Sequence, residues 1–156
     1  MTLFNYISHC RDREYMSGIE RDKLRVKFTS EVFTKTKDVQ TCLDEFEDGV
    51  WLNVDKKFID PSCGDGQFLS EVVIRKIEGS GCTLEQALST TYGVELMEDN
   101  VKLCKERLSG PNPTQEILDI LDKNIVCADA LTYHYRFDGT HPTSSHTEIK
   151  MSEFFG

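Results

Sequence analysis

Lys57-Phe58-Ile59-Asp60-Pro61-Ser62-Cys63-Gly64-Asp65-Gly66-Gln67-Phe68-Leu69 decides the fold. Its opening residues, Lys57 to Asp60, read as a short buried strand closed by an acid. Pro61, Gly64 and Gly66 then turn the chain. From Phe68 the apolar residues Phe68, Leu69, Val72, Val73 and Ile77 recur at helical spacing until Gly79-Ser80-Gly81 stops them. Strand, glycine-rich turn and helix in that order suit a ligand at the carboxyl end of a parallel sheet. Glycines let the backbone approach closely and adopt positive φ, and the free N–H groups of the helix start suit a carboxylate or phosphate. Taken alone the glycine pair selects no ligand, because plain tight turns use it too.

Further along, Thr83 to Glu85 caps a short helix through Leu88, and Thr91-Tyr92-Gly93-Val94-Glu95 reads as a second strand. A helix is expected from Asn100 to Leu108, with Val101, Cys104 and Leu108 on one face and Gly110-Pro111 as its stop. Another follows from Thr114 to Leu121, and Asn124-Ile125-Val126-Cys127 is the third strand, running into Ala128-Asp129. Before the turn, Val39, Cys42, Leu43 and Phe46 at i, i+3, i+4, i+7 predict an amphipathic helix ended by Gly49. Residues 1–24 are polar with scattered aromatics (Phe4, Tyr6, Tyr15) and read as a helical lead-in. After Leu131 the signal fades: Tyr133 to Phe137 alternates weakly and Asp138 to Ser145 is loop-like. Strands alternating with helices predict an α/β fold, a parallel sheet flanked by helices with right-handed crossovers. Asp60, Glu95 and Asp129 then each sit at a strand's carboxyl end. Glu95 can accept both hydroxyls of a ribose and Asp129 an exocyclic adenine amine, so the three acids in register argue for a nucleoside ligand.

The chain of 156 residues can bury one real core. It has no apolar stretch of bilayer length, and Met1 to Cys10 lacks a basic-then-apolar signal pattern, so a cytoplasmic protein is expected. Cys10, Cys42, Cys63, Cys82, Cys104 and Cys127 are scattered without a C-x-x-C pair, and His9, His134, His141 and His146 lack a paired spacing. That argues against a zinc site or a disulfide scaffold; reduced thiols and no metal are expected. The turn explains Cys63 without a nucleophilic role. A net charge of −9 repels duplex DNA unless basic residues cluster locally. The one local cluster is Arg21, Lys23, Arg25 and Lys27, then Lys35 and Lys37; a solvated face is the expected reading, with a nucleic-acid surface as the alternative.

Asp60 to Leu69 resembles the cofactor loop D-P-x-C/A-G-x-G-x-F-L of the amino-methyltransferases of DNA, especially the adenine-N6 branch of restriction–modification systems. Gly93-Val94-Glu95 followed by Glu98 to Val101 is similar to the family's next motif, and Cys127 to Leu131 to its third. Glu31-Val32-Phe33-Thr34 resembles the F-T/Y-T-P segment, with Lys35 where the family has proline. The resemblance covers residues 28–137 and implies a Rossmann-like methyltransferase fold, S-adenosylmethionine as cofactor, and DNA methylation as activity. It further implies that Phe33 and Thr34 approach the methionine end, with Asp60, Pro61, Cys63, Gly64, Gly66 and Phe68 around the same loop. Glu95 would hold the ribose, Leu96 or Met97 would pack on the adenine, and Asp129 with Ala130 and Leu131 would complete the base site. A nicotinamide dehydrogenase is disfavoured, since Leu69 stands where its third glycine would be.

The family transfers methyl to an exocyclic amine with a D/N-P-P-Y/F loop that accepts hydrogen bonds from the amine and stacks on the flipped base. Pro61, Pro111, Pro113 and Pro142 include no adjacent pair, and Asp138-Gly139-Thr140-His141-Pro142 is the nearest candidate. The catalytic residues are thus not legible. The expected layout is a helical lead-in at 1–27, a cofactor-binding domain at 28–137 and a C-terminal tail at 138–156. The family's fourth strand pairs with its first, so a short or minimal version is expected to leave Phe58 to Asp60 as an open edge. From this follows self-association or a partner subunit, with Phe154 and Phe155 in or near the contact. The two functional readings are a methyltransferase, or the cofactor-binding part of one, and a regulatory or assembly module that binds S-adenosylmethionine without catalysis.

Overall fold

The computed structural model describes residues 1–12 and 34–140. Phe33, the Arg21 to Lys27 cluster, His141, Pro142, Phe154 and Phe155 lie outside them. Three parallel strands, β1 (Phe58–Asp60), β2 (Thr91–Glu95) and β3 (Ile125–Cys127), form a sheet in the order β1-β2-β3. Phe58 pairs with Thr91 and Asp60 with Gly93; Gly93 pairs in turn with Ile125 and Glu95 with Cys127. Seven helices accompany them among the described residues: α1 (Leu3–Arg11), α2 (Thr36–Leu43), α3 (Gly49–Leu52), α4 (Gln67–Ser80), α5 (Leu84–Ser89), α6 (Glu98–Ser109) and α7 (Gln115–Asn124). The α/β alternation expected from the sequence is therefore present, with helices between consecutive strands.

Local chemistry sets the boundaries. Gly66 and Gly81, both left-handed, open and close α4, the conformation that a side chain disfavours and glycine tolerates. Thr83 and Gln86 close a reciprocal capping box at α5, and the Thr114 hydroxyl accepts from the Ile117 amide at the start of α7. Gly49 departs from expectation: it opens a helical turn instead of ending a helix. α2 stops at Leu43, and α3 then swings Trp51 inward, where it stacks on Phe58 with ring centroids 5.1 Å apart. That stacking outweighs the helical spacing that would have carried α2 on to Phe46.

The two sheet faces are covered differently. Strand alternation places Gly93 and Ile125 on one face, against the main core of Leu69, Val73, Leu88, Cys104, Leu108 and Leu121. On the other face Val94 and Val126 pack with Ala128 and Tyr133, and with the partly buried Phe137. The segment after β3, weakly patterned in sequence, thus folds back as an aromatic cover. Tyr92 and Phe137 bring their rings to 4.7 Å there.

α1 belongs to the main core. Tyr6 and Cys10 are buried in it, and the Tyr6 hydroxyl donates to the Leu108 carbonyl at 2.9 Å. Arg11 clamps Glu71 of α4 through Nε at 2.7 Å and Nη2 at 2.8 Å, the paired geometry that makes Arg–carboxylate contacts strong. At the amino end of the sheet Lys76 is fully buried, and its ammonium donates to the carbonyl and hydroxyl of Thr90.

Candidate cofactor site at the carboxyl rim of the sheet

The turn after β1 is built around its backbone. The Ser62 amide donates to the Asp60 carboxylate at 3.0 Å, an Asx turn that starts the reversal. The Cys63 amide then donates to the Val94 carbonyl at 3.0 Å and the Gly66 amide to the Cys63 carbonyl at 2.9 Å. Gly64 and Gly66 take φ values of +54° and +90°. At Gly66 a Cβ would also stand 2.9 Å from the Cys104 sulfur of α6. Beneath the turn, a Cβ on Gly93 would meet the Cys63 sulfur and Leu69 Cδ1 at 2.8 Å. Close approach requires glycine at both of these positions.

Glu95 joins the rim to the turn. Its Oε2 accepts the Gly64 amide at 2.8 Å and its Oε1 the Met97 amide at 3.1 Å. The residue is 8% exposed. Asp60 is half-buried, and burial pushes its carboxyl up from the usual range while only the Ser62 amide pulls it back. The contact with the Cys104 thiol, then burial, hold the Cys63 thiol well above the ordinary thiol range. Cys63 is buried in the main core, and both effects favour its protonated form.

Asp65, between the two glycines, is a residue that sequence reasoning misses. Its carboxylate accepts from Arg107 Nη2 at 3.0 Å, and the two side chains are 1% and 2% exposed. Arg107 Nη1 also donates to the Cys10 carbonyl, so one guanidinium ties turn, α6 and α1 together. A signal exists: Arg107 follows Cys104 by three residues and so falls on the buried stripe of α6, where a lone arginine requires a buried partner.

The other expected residues divide. Cys63, Gly64 and Glu95 come together at the turn after β1, where Cys63, Gly66 and Glu95 are buried and Gly64 and Asp60 half-buried. Pro61 is exposed at the turn's tip. Phe68 is partly buried and packs toward Trp51 and Val72. Met97 is half-buried and Leu96 is 41% exposed. Asp129 is exposed, its Oδ1 accepting the Leu131 amide at 2.8 Å; Leu131 is 94% exposed. The Ala130 carbonyl accepts from the Tyr135 hydroxyl at 2.8 Å. Thr34 is half-buried just before α2.

A cleft of about 1000 Å³ between α6, α7 and β3 reaches the rim at Glu98, Asp99 and Cys127, with Val101, Leu121 and Ile125 in its lining. Asp60, Gly64, Gly66 and Glu95 are not part of it. Among the described residues no group of three or more His, Cys, Asp or Glu could hold a metal ion, and no helix is long and apolar enough to cross a membrane. No protein-family model matches the chain, and neither does any curated protein or solved structure.

Proposed function

We propose that this rim binds S-adenosylmethionine, and that the chain is a methyltransferase related to the adenine-N6 DNA enzymes, or the cofactor-binding part of one, on a Rossmann-like methyltransferase fold. The observation that carries the reading is the Gly64–Glu95 hydrogen bond. It joins a cofactor-type turn to the acid at the end of β2, across 31 residues of sequence. The residues present fit the group. Asp60 is a half-buried carboxylate that burial pushes up and only a backbone amide pulls down, which suits an ammonium. A Cβ on Gly64 would meet nothing within 4 Å, so the turn faces open space. Two amides fix the orientation of the Glu95 carboxylate, a group able to accept from hydroxyls as well.

When bound, the cofactor's sulfonium supplies an electrophilic methyl group. The chain's own part is to hold the methionine end at Asp60 and the turn, the ribose at Glu95, and the base beside Leu96, Met97 and Asp129 to Leu131. Because Glu95 is nearly buried beneath the Gly64 amide, ligand entry lifts the turn or shares that amide. The exposed Asp129 and Leu131 leave the base side accessible without such movement.

A specific observation favours the second reading, binding without transfer. None of the four prolines is adjacent to another, and Asp138, in the nearest candidate segment, turns its carboxylate back on the Thr140 amide at 2.9 Å. Labelled methyl transfer to DNA, RNA and protein separates the two readings. S-adenosylmethionine or S-adenosylhomocysteine is expected to raise the melting temperature, as a native-state ligand must. Asp60→Ala and Gly64→Val are expected to abolish that rise, by loss of an acceptor and by steric block. An unchanged rise in both variants would remove the pocket.

A further inference from the structure

We infer that Gln67 and the opening amides of α4 hold the carboxylate of an α-amino-acid group on the ligand, so that the rim selects ligands carrying that end. This role rests on the cofactor reading above and falls to a residue that the resemblance leaves unassigned. Gln67 stands at a variable position of the D-P-x-C/A-G-x-G-x-F-L loop. It is only 5% exposed, yet among the described residues its buried Nε2 has no hydrogen-bond partner. A carboxamide nitrogen donates two hydrogens, and burying it without an acceptor costs the desolvation of that group with nothing in return. A native fold rarely leaves such a donor unmet, so an acceptor from outside the chain is expected there.

Backbone donors stand beside it. α4 opens at Gly66 with no side-chain cap and no acid in its first turn. The Ser70 amide makes the first helical bond, to the Gly66 carbonyl at 2.9 Å, and the amides of Gln67, Phe68 and Leu69 precede it. Asp65, the nearest acid before them, is turned to Arg107 at 3.0 Å. Side chains on a helix lean toward its amino end, which sets the Gln67 carboxamide on the side of these amides. Gly64 of the same turn faces open space, since a Cβ there would meet nothing within 4 Å, so a ligand group can approach from that side. Asp60, on the other arm of the turn, is a half-buried carboxylate. A carboxylate on one arm and a helix start with its donors on the other match the ammonium and carboxylate of one α-amino acid. A phosphate would meet the donors but be repelled by Asp60.

The test compares S-adenosylhomocysteine with 5′-methylthioadenosine, which keeps the nucleoside and sulfur and lacks the amino-acid end, by calorimetric titration of the full chain. The parent is expected to bind the first compound more tightly. Gln67→Leu, close in volume and without polar atoms, is expected to weaken binding of S-adenosylhomocysteine at least about tenfold, the scale of a hydrogen bond to a charged group. It should leave 5′-methylthioadenosine unaffected. Its unfolding midpoint without ligand is expected to equal or exceed the parent's, because the stranded donor is gone. Gln67→Glu sets a carboxylate against the ligand's own and is expected to lose more affinity for S-adenosylhomocysteine than Gln67→Leu does. A lowered midpoint in Gln67→Leu, with both compounds weakened alike, would show that the chain itself supplies the acceptor and would overturn this role. So would equal affinities of the parent for the two compounds, or an undiminished preference in Gln67→Leu. A parent that binds neither compound would bring down the cofactor reading itself, and this role with it.

Discussion

The two halves of the carboxyl rim are fixed in different ways. Between β1 and β2 the turn is tied to distant parts of the chain, Gly64 to Glu95, Cys63 to Val94, and Asp65 to Arg107 from α6, beside the short Ser62–Asp60 and Gly66–Cys63 bonds. At β3, Asp129 and Ala130 bond to Leu131 and Tyr135, a few residues away. Long-range ties make the turn the rigid half of the rim in the free protein, so a ligand reaching Glu95 would work against them. Short-range ties at the surface set a local bend and leave neighbouring side chains free to adapt. If the rim binds the proposed cofactor, the exposed β3 half is the part that adapts without disturbing the long-range ties.

The sharpest way to break the rigid half is at Arg107. Removing one member of a buried ion pair leaves an uncompensated charge in the core, worth about 3–5 kcal/mol. Arg107→Ala and Asp65→Ala are each expected to lose that much in denaturant unfolding. Asp65→Leu combined with Arg107→Met is expected to recover most of it, since an apolar pair of similar volume carries no stranded charge. Single variants within about 1 kcal/mol of the parent would show that the turn is held by its backbone alone.

Glu95 tests whether anchoring and ligand holding share one residue. Glu95→Ala leaves the Gly64 and Met97 amides without their acceptor, so stability of the free protein should fall by about 1–2 kcal/mol. Cofactor affinity should fall by about 1–3 kcal/mol if the carboxylate holds ribose hydroxyls. Calorimetric titration beside chemical unfolding reads both. A loss of stability with affinity intact would make Glu95 a purely structural tie.

How much of this is legible in the sequence follows from which forces leave a trace there. Strand–turn–helix order and the positions of Asp60, Gly64, Gly66 and Glu95 are readable, because period, turn residues and strand ends are local properties. The Asp65–Arg107 pair is legible at one end only: the α6 stripe puts Arg107 on the buried face, but its partner lies 42 residues away and no local pattern names it. α3 escapes because Gly49 is as good a stop as a start; the stacking of Trp51 on Phe58 decides between them. Tyr133 to Phe137 lacks a clean period because it is neither helix nor strand. Tyr135 and Phe137 adopt φ of +54° and +49°, conformations that no simple repeat encodes, to lay their rings together.

Asp60 sharpens the contrast within the turn itself, since Asp65, five residues later, is neutralised by a guanidinium while burial alone dominates at Asp60. With its folded-state pKa raised by burial, Asp60 binds its proton more tightly when folded than when unfolded. The charged form therefore costs stability at neutral pH, and this cost disappears as pH falls through the folded pKa to the unfolded value. Asp60→Asn is expected to stabilise the free protein modestly at pH 7, by about 1 kcal/mol or less. The gap to the parent should close on acidification while cofactor binding is lost. A gap that widened toward acid would mean that the folded protein favours the charged carboxylate instead.

The smallest effect is expected on the adaptable half. Asp129 is exposed and its bond to Leu131 spans two residues, so Asp129→Ala exchanges that Asx turn for solvation and should change stability by no more than about 0.5 kcal/mol. Its effect on binding depends on what it meets. If the carboxylate accepts the exocyclic amine of adenine, affinity falls by about 1 kcal/mol for S-adenosylmethionine. An analogue with hydrogen in place of that amine should then bind parent and variant alike. Asp129→Asn keeps an acceptor and should lie between the two. Equal affinities for both ligands across all three proteins would leave Asp129 as a surface acid ending β3, and would confine recognition to the rigid half of the rim.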